Sequence, residues 1–382
     1  MKAVFEKNKL LAAITPALGF VSGKNTLPAI EGINLICEAP GKCTVTAYDL
    51  EKGFRSSCEC EVEAEGNYII NGQKLMQRVR AMPGDFVTIE VNNKDIVSIY
   101  SGKLRYELHA IDGADFPALP NLEGDRGFEI PQSTFGKMLR HTGFAIAQNS
   151  MRPELNGSYF VTDGKTLTVV SCDGNKLALS EQKIDVKDYR HDNEDFEAKF
   201  IVPGKTLTEL LKIMSDTDDV MRIKLTQKNV IFTVDKFNFF SRLIDSEYID
   251  YDRFIPKNSK IFVNIDADKF AETLESAMLV TEDRTLGQAK SPLKCSFKGD
   301  ILSVSCTSIT DRFTDEIFTE KIGDDIEIGF NCRYLLEAMK SCTVDRVRLS
   351  LSGPLMSMII EPAEKEENER FLFLVLPVKM KD

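Results

Sequence analysis

Four things are scarce in this 382-residue chain, and each scarcity closes a door. There are three histidines, His109, His141 and His191, with no two at ligand spacing, so His-based catalysis and metal binding have little to work with. No C-x-x-C pair occurs among the nine cysteines at 37, 43, 58, 60, 172, 295, 306, 332 and 342, which removes the usual zinc and redox motifs. They read as reduced, mostly buried thiols. No run approaches the roughly 20 apolar residues of a membrane span, and the opening MKAVFEKNKLL lacks the long apolar stretch and cleavage site of a signal peptide. A cytoplasmic location is expected. Finally there is no basic excess: the net charge is −11, the opposite of the usual sign for a phosphate-binding protein.

Glycine-rich catalytic motifs are also missing. Gly204-Lys205-Thr206 and Gly164-Lys165-Thr166 imitate the end of a phosphate loop, but the glycine required five positions earlier is Lys199 in one and Tyr159 in the other. Acid clusters such as 192–197 and 364–369 fall in stretches expected to be solvated loops. Nucleophile-elbow and dinucleotide-binding glycine patterns do not occur.

What the chain does contain is a repeat. Residues 70–82 align without a gap on 202–214 and on 330–342, at offsets of 132 and 128. Each copy carries apolar residues at the same steps of four and three: Leu75, Val79 and Met82; Leu207, Leu211 and Met214; Leu335, Met339 and Cys342. That spacing predicts one helix per copy, with a single face turned to a core. A second helix recurs with Leu10 and Ile14, Phe135 and Leu139, and Phe270 and Leu274. Alternating runs at 87–91, 221–225 and 347–351 follow each copy of the first helix, and further strands are expected at 44–47, 167–171 and 302–306. Turn formers and charges at 120–127 and 255–260 mark the joints. The expectation is three units of about 125 residues, each with two helices and several strands, with domains 1–123, 124–256 and 257–382.

Positive charge is gathered on these helices. Residues 71–82 hold Lys74, Arg78 and Arg80, and 132–152 hold Lys137, Arg140 and Arg152, both without an acid. Lys74 and Arg78, four apart, share a face opposite the apolar stripe. A basic lining for phosphate inside an acidic protein is the functional reading of that segregation. The first helix of the third unit is an exception, with Asp266, Asp268, Glu272 and Glu275 against Lys269.

An ordered set of phrases then carries a resemblance. It comprises Thr26-Leu27-Pro28-Ala29-Ile30, residues 46–51 (TAYDLE), Asp115-Phe116-Pro117, Arg152 with Leu155-Asn156-Gly157, Cys172-Asp173-Gly174, and the closing residues 374–379 (LVLPVK). Together with the threefold repeat, and from end to end, the chain resembles the bacterial DNA sliding clamps, the beta subunits of DNA polymerase III. The resemblance implies an α+β fold of three clamp-type domains, each with two helices packed on antiparallel sheets, closed into a ring as a head-to-tail dimer. It implies a non-catalytic processivity factor without cofactors. Its partners would be double-stranded DNA, a second copy of the chain, the polymerase alpha subunit, the clamp loader delta subunit, and other polymerases and repair proteins; a membrane would not be among them.

Helix dimensions agree with two chains per ring. Six helices about 9 Å apart give a circumference near 54 Å and a bore of roughly 7 Å, whereas twelve give about 108 Å and roughly 24 Å. Only the larger bore clears a duplex of about 20 Å.

Carried over by position, Lys24, Lys74, Arg80, Lys137, Asn149, Arg152 and Lys205 would face DNA. Tyr106 and Leu108 would meet Met278 and Leu279 across the dimer seam. A pocket for short hydrophobic peptides would use Leu155, Cys172, Gly174, Asn175, Lys176, Leu177, Ile249, Arg253, Phe254, Leu355, Ser357, Leu374, Val375, Leu376, Pro377, Val378 and Lys379. On the strand through 371–376 only alternate side chains can face such a cleft. The chain departs from the family at Ile249, often proline; at Asn175 and Lys176, where histidine and arginine are common; and at Pro153-Glu154, which replace aromatic residues.

Two other readings stand beside this one. A magnesium-dependent nucleic-acid hydrolase on the same repeat would need acids clustered at strand ends. A peptide-binding scaffold would need no DNA at all.

Overall fold

The computed structural model describes residues 1–23, 27–124, 126–188, 194–281 and 292–380. Among them are six α-helices: α1 (Lys7–Ala17), α2 (Gly72–Ala81), α3 (Gln132–Gly143), α4 (Gly204–Leu211), α5 (Ala267–Thr281) and α6 (Cys332–Lys340). These fall two to a repeat. The predicted apolar stripes are their buried faces: Leu10 and Ile14, Leu75 and Val79, Phe135 and Leu139, Phe270 and Leu274, and Leu335 and Met339 are all inaccessible to solvent or nearly so. In α4 the stripe is shifted. The helix is only eight residues long and buries Leu207 and Leu210, leaving Leu211 and Met214 half-buried. Cys342, beyond the end of α6, is half-buried too.

A finer period is visible in the backbone. Each helix is entered directly from a strand, namely Lys2–Glu6, Gly66–Asn71, Arg126–Pro131, Glu197–Pro203, Ile261–Asp266 and Ile326–Phe330, and is followed by a set of three antiparallel strands. Asparagine makes two of these strand-to-helix corners: Asn71 Oδ1 accepts from the Lys74 N–H (3.0 Å) and Asn331 Oδ1 from the Arg333 N–H (3.1 Å). The half-repeats then exchange their entry strands. Lys2–Glu6 pairs with Phe86–Val91 of the second half, while Gly66–Asn71 pairs with Gly32–Glu38 of the first. The same exchange joins Arg126–Pro131 to Val220–Leu225 and Glu197–Pro203 to Gly157–Asp163. In the third repeat it joins Ile261–Asp266 to Arg346–Leu351 and Ile326–Phe330 to Leu293–Lys298. Each helix thus leaves a strand of one set and leads into the other set, which interlocks the halves.

Strand sets of successive repeats also pair. Lys52–Glu59, the last strand of the first half of repeat one, is hydrogen-bonded to Phe237–Arg242, the last strand of the second half of repeat two. Lys176–Lys183 and Glu369–Val375 repeat the arrangement between repeats two and three. The result is two compact units. One holds repeat one and part of repeat two on a 13-stranded sheet; the other holds the rest of repeat two and all of repeat three on a nine-stranded and a four-stranded sheet.

In the second unit, the junction is fastened by a buried histidine. His141 of α3 places Nδ1 3.1 Å from Ser180 Oγ and Nε2 3.0 Å from Thr343 Oγ1, and its ring lies 4.7 Å from that of Phe371. Burial, with Lys137 and Arg140 nearby, holds the imidazole down to about 3, so it stays neutral in the fold. Its folded pKa lies below the unfolded value of about 6.5, so its stabilisation is present above that pH and is lost as pH falls from there toward 3. Urea unfolding across that window is expected to show a His141-dependent loss on the order of a few kcal/mol. In His141→Gln, which titrates nowhere in the window, this component of the pH dependence should vanish.

Candidate functional site

The nine-stranded sheet has two apolar faces. Phe371, Phe373 and Val375 belong to the core beneath α5 and α6, whereas Leu372 and Leu374 belong to a separate cluster on the other face. That second cluster also contains Leu155, Cys172, Leu177 and Tyr248, with Ile249 packed against it. Exposed apolar side chains adjoin this floor along the chain: Phe254 (59% accessible) lies between Tyr251 and Ile255, which pack against it, Leu376 (40%) follows Leu374 by two residues, and Leu355 (75%) and Met356 shortly precede Ile359. Large apolar groups left in water beside an apolar floor mark a surface built to be covered.

Local chemistry fixes the rim. Asp173 Oδ1 accepts from the Asn175 and Lys176 N–H groups (2.8 and 3.0 Å), and Gly174 takes φ +92°, giving a tight turn between two strands. The Leu376 N–H donates to the Asn175 carbonyl (2.9 Å), and the Val378 N–H donates to the Gly329 carbonyl (2.8 Å). Pro377, with no N–H, sits between these two fastenings, and Lys379 is exposed. Arg253, also exposed, is held by Asp250 at 2.6 Å, and Ser357 is buried.

Alternation removes two residues from the pocket expected from sequence. Lys176, directly across from Val375, shares that residue's face, opposite the one that carries Leu177 and Leu374. Its buried ammonium is ion-paired with Glu337 and lies 5.0 Å from the Tyr334 ring and 5.5 Å from that of Phe144. Conversely, the floor includes Tyr248, Ile359 and Leu372, which sequence reasoning passed over. Leu372 was signalled by its step of two from Leu374. Tyr248 is set by a tertiary contact, stacked 4.8 Å from Tyr159.

The basic residues are in unequal states. Lys74 and Arg80 of α2, and Lys205 at the start of α4, are exposed. Arg78 instead turns its guanidinium to 5.7 Å from the ring of Tyr106. Lys137 of α3 is ion-paired with Glu369, and Arg152 with the buried carboxylate of Glu154 (2.9 Å). Asn149 is exposed, with φ +57°. Lys24, Thr26 and His191 lie outside the described residues.

Tyr106 and Leu108 lie on strand Leu104–Asp112. Among the described residues, only 110–112 pair with Gly66–Asn71 and residues 104–109 pair with Ile96–Ser101 alone, which leaves the strand one open side. On α5, Met278 packs on the core while Leu279 is 80% accessible. Strand Arg312–Phe318 ends the four-stranded sheet, with Phe318 exposed. The sheet's other end, Ile326–Phe330, receives the bond from Val378.

The phosphate-loop mimics have ordinary structural roles. Gly164 makes a hairpin turn at φ +89°, and Thr206 is buried with its hydroxyl 2.8 Å from Ser241 Oγ. Among the described residues, no group of three or more His, Cys, Asp and Glu is arranged to hold a metal ion, and no helix is long and apolar enough to cross a membrane.

Comparison with known proteins matches this architecture domain by domain. Models of the N-terminal, central and C-terminal domains of the DNA polymerase III beta subunit match residues 1–120, 129–250 and 252–378. The chain belongs to the bacterial sliding-clamp family. The beta sliding clamp of Bacillus subtilis is 27% identical across 99% of this chain and 100% of its own length, and that of Pseudomonas putida 26% across all of both. The crystal structure of the Bacillus subtilis DNA polymerase sliding clamp superposes with a TM-score of 0.90 at 26% identity, covering both chains completely. A ligand-bound sliding clamp from Pseudomonas aeruginosa gives 0.87 at 25%, again over both whole chains. Clamps of this family are not catalysts, and the three-domain repeat is theirs.

Proposed function

We propose that two copies of this chain close head to tail into a ring around duplex DNA, slide along it without reading sequence, and tether replication and repair proteins through the apolar groove. The three domains are 1–123, 124–256 and 257–382, and the ring works in the cytoplasm.

One observation carries the closure. At both internal junctions, the last strand of a repeat's first half pairs with the last strand of the next repeat's second half. Applied once more, the rule pairs Arg312–Phe318 of repeat three with Leu104–Asp112 of repeat one. Among the described residues, each of those strands has an open side. A heterologous contact of this kind either closes or polymerises, and the bore estimate favours closure with two chains. Tyr106 and Leu108 then meet Met278 and Leu279 of the other copy.

DNA would be held by Lys74, Arg80 and Lys205, with Asn149, Arg152, Lys137 and Lys24 completing the set, through phosphates only. Because each neutralised phosphate releases counterion, Lys74→Ala, Arg80→Ala or Lys205→Ala should each flatten the log affinity against log salt plot by about 0.9. Lys137→Ala should change it less, since Glu369 already neutralises that ammonium. Fluorescence anisotropy of a labelled duplex over a salt series reads both; equal slopes in all four variants would remove these residues from the DNA path.

The groove accepts short hydrophobic segments of the polymerase alpha subunit, the clamp loader delta subunit and other polymerases or repair proteins. Its floor is Leu155, Cys172, Leu177 and Leu374, and its rim Gly174, Asn175, Ile249, Arg253, Phe254, Leu355, Ser357 and Leu376 to Lys379. Retention of loaded protein on circular DNA, and its escape when the circle is cut, tests the whole reading. Equal retention on both forms would favour plain adhesion over encirclement.

A further inference from the structure

Four of the cysteines gather in the first repeat, outside every surface described above. On the adjacent strands Gly32–Glu38, Lys42–Tyr48 and Lys52–Glu59, Cys37 stands directly across from Cys43 and Cys43 directly across from Cys58. Opposed residues share a face, so the three thiols form a row across the sheet, on the side that buries Leu35, Val45 and Phe54. Cys60 follows two residues after Cys58, half-exposed, its N–H bonded to the Gly41 carbonyl (3.0 Å). Cys37 and Cys43 have no accessible surface, whereas Cys58 keeps 8%.

Ladder geometry leaves both opposed pairs within bridging reach, and access chooses between them. Hydrogen bonds close Cys60 on Gly41 and Asp49 on Lys52, and the alternation of an antiparallel ladder then makes Cys43–Cys58 a hydrogen-bonded pair as well. Such pairs have Cα atoms about 5.5 Å apart and the alternate Cys37–Cys43 pair about 4.5 Å, both inside the roughly 4.4–6.8 Å a disulfide spans, but of the three thiols Cys58 is the one an oxidant can reach. Opposed Cβ atoms at about 4.5–5.5 Å must approach by about 1 Å to reach bridging distance. The bond would therefore form in place, carry some strain, and be easily reduced.

We propose that Cys43 and Cys58 are a reversible oxidation site that takes a hydroperoxide, such as hydrogen peroxide, as its oxidant. The Cys58 sulfur attacks one peroxide oxygen; the O–O bond breaks, hydroxide leaves and takes up a proton, and Cys58 becomes a sulfenic acid. The Cys43 sulfur then attacks the Cys58 sulfur, the S–O bond breaks, and the departing hydroxide leaves as water with the Cys43 proton. Two thiols and one hydrogen peroxide give one disulfide and two waters. The division of roles follows access: Cys58 keeps accessible surface, whereas the Cys43 thiol is fully buried and donates to the Thr44 carbonyl (3.9 Å).

Native full-length protein exposed to hydrogen peroxide, blocked with N-ethylmaleimide and digested with trypsin tests this. Cleavage after Lys42, Lys52 and Arg55 puts Cys37, Cys43 and Cys58 on three different peptides. The expected product joins peptide 43–52 to peptide 56–74, with fragmentation placing the link on Cys58 rather than Cys60, and dithiothreitol reverses it. Cys43→Ser and Cys58→Ser should each abolish the product, and Cys37→Ser should keep it. Nine blocked thiols after peroxide, a link through Cys37 or Cys60, or a link that forms only in urea would each overturn the proposal.

Discussion

Replacing Leu108 and Leu279 together by aspartate is expected to shift the native mass from twice 42.9 kDa to 42.9 kDa, read by light scattering at micromolar concentration. Leu279 is 80% accessible and Leu108 only half-buried, so neither contributes much to the isolated fold. In the proposed seam both become desolvated anchors, the kind of residue whose loss costs about 2 kcal/mol or more. Two such losses, with unpaired carboxylates left in an apolar contact, weaken association by about 1,000-fold or more. Unchanged circular dichroism and thermal unfolding in the variant would separate loss of the seam from loss of the fold. A variant that stays dimeric would mean that the open strands 104–109 and 312–318 are not where the copies meet. A wild-type protein that is already monomeric would sink the ring itself.

How much of this was legible depended on which forces set each feature. Helix positions follow from local periodicity, and Leu10, Ile14, Phe135, Leu139, Phe270 and Leu274 are buried where their spacing predicts. α4 is the informative exception. Leu211 matches Val79 and Met339 in the aligned repeats, yet the short helix buries Leu210 instead. Strand exchange left no mark in the sequence. That Lys2–Glu6 pairs with Phe86–Val91 rather than with its nearest neighbours is a tertiary choice, because any alternating strand satisfies the same pattern. The exchange also hid the half-repeats, since the α1 and α2 sequences share a position after a strand rather than a string of residues. In the pocket, period-two alternation separates Leu374 from Val375 and Leu177 from Lys176, but sequence alone could not say which member faced the groove. The charge on Lys137 looked available for phosphate because its partner, Glu369, lies 232 residues away in the chain.

Deleting residues 376–382 is expected to reduce the affinity of a labelled peptide carrying a short hydrophobic clamp-binding segment by at least about 100-fold, while the dimer survives. Two strands of evidence favour a selective effect. The deletion removes Leu376, Pro377 and Val378 from the rim, yet leaves Leu374 and Leu372 in the floor, where they are already buried. It also leaves untouched strands 104–109 and 312–318, on which closure rests. The chief competing account is that the tail is a structural strap, because the Val378 N–H caps the Gly329 carbonyl at the end of the four-stranded sheet. A strap would fail differently: an unsatisfied edge at Ile326–Phe330 lowers the stability of the third repeat, and peptide binding and dimerisation fall together. Leu355→Asp with Leu376→Asp distinguishes the two accounts without cutting the chain. Leu355 is mostly in water and Leu376 is 40% accessible, and neither substitution removes a backbone donor, so the strap stays fastened. If that double variant loses the peptide and keeps its melting temperature, the apolar rim is the binding element. If it binds as well as the parent, the groove is only a satellite of the core.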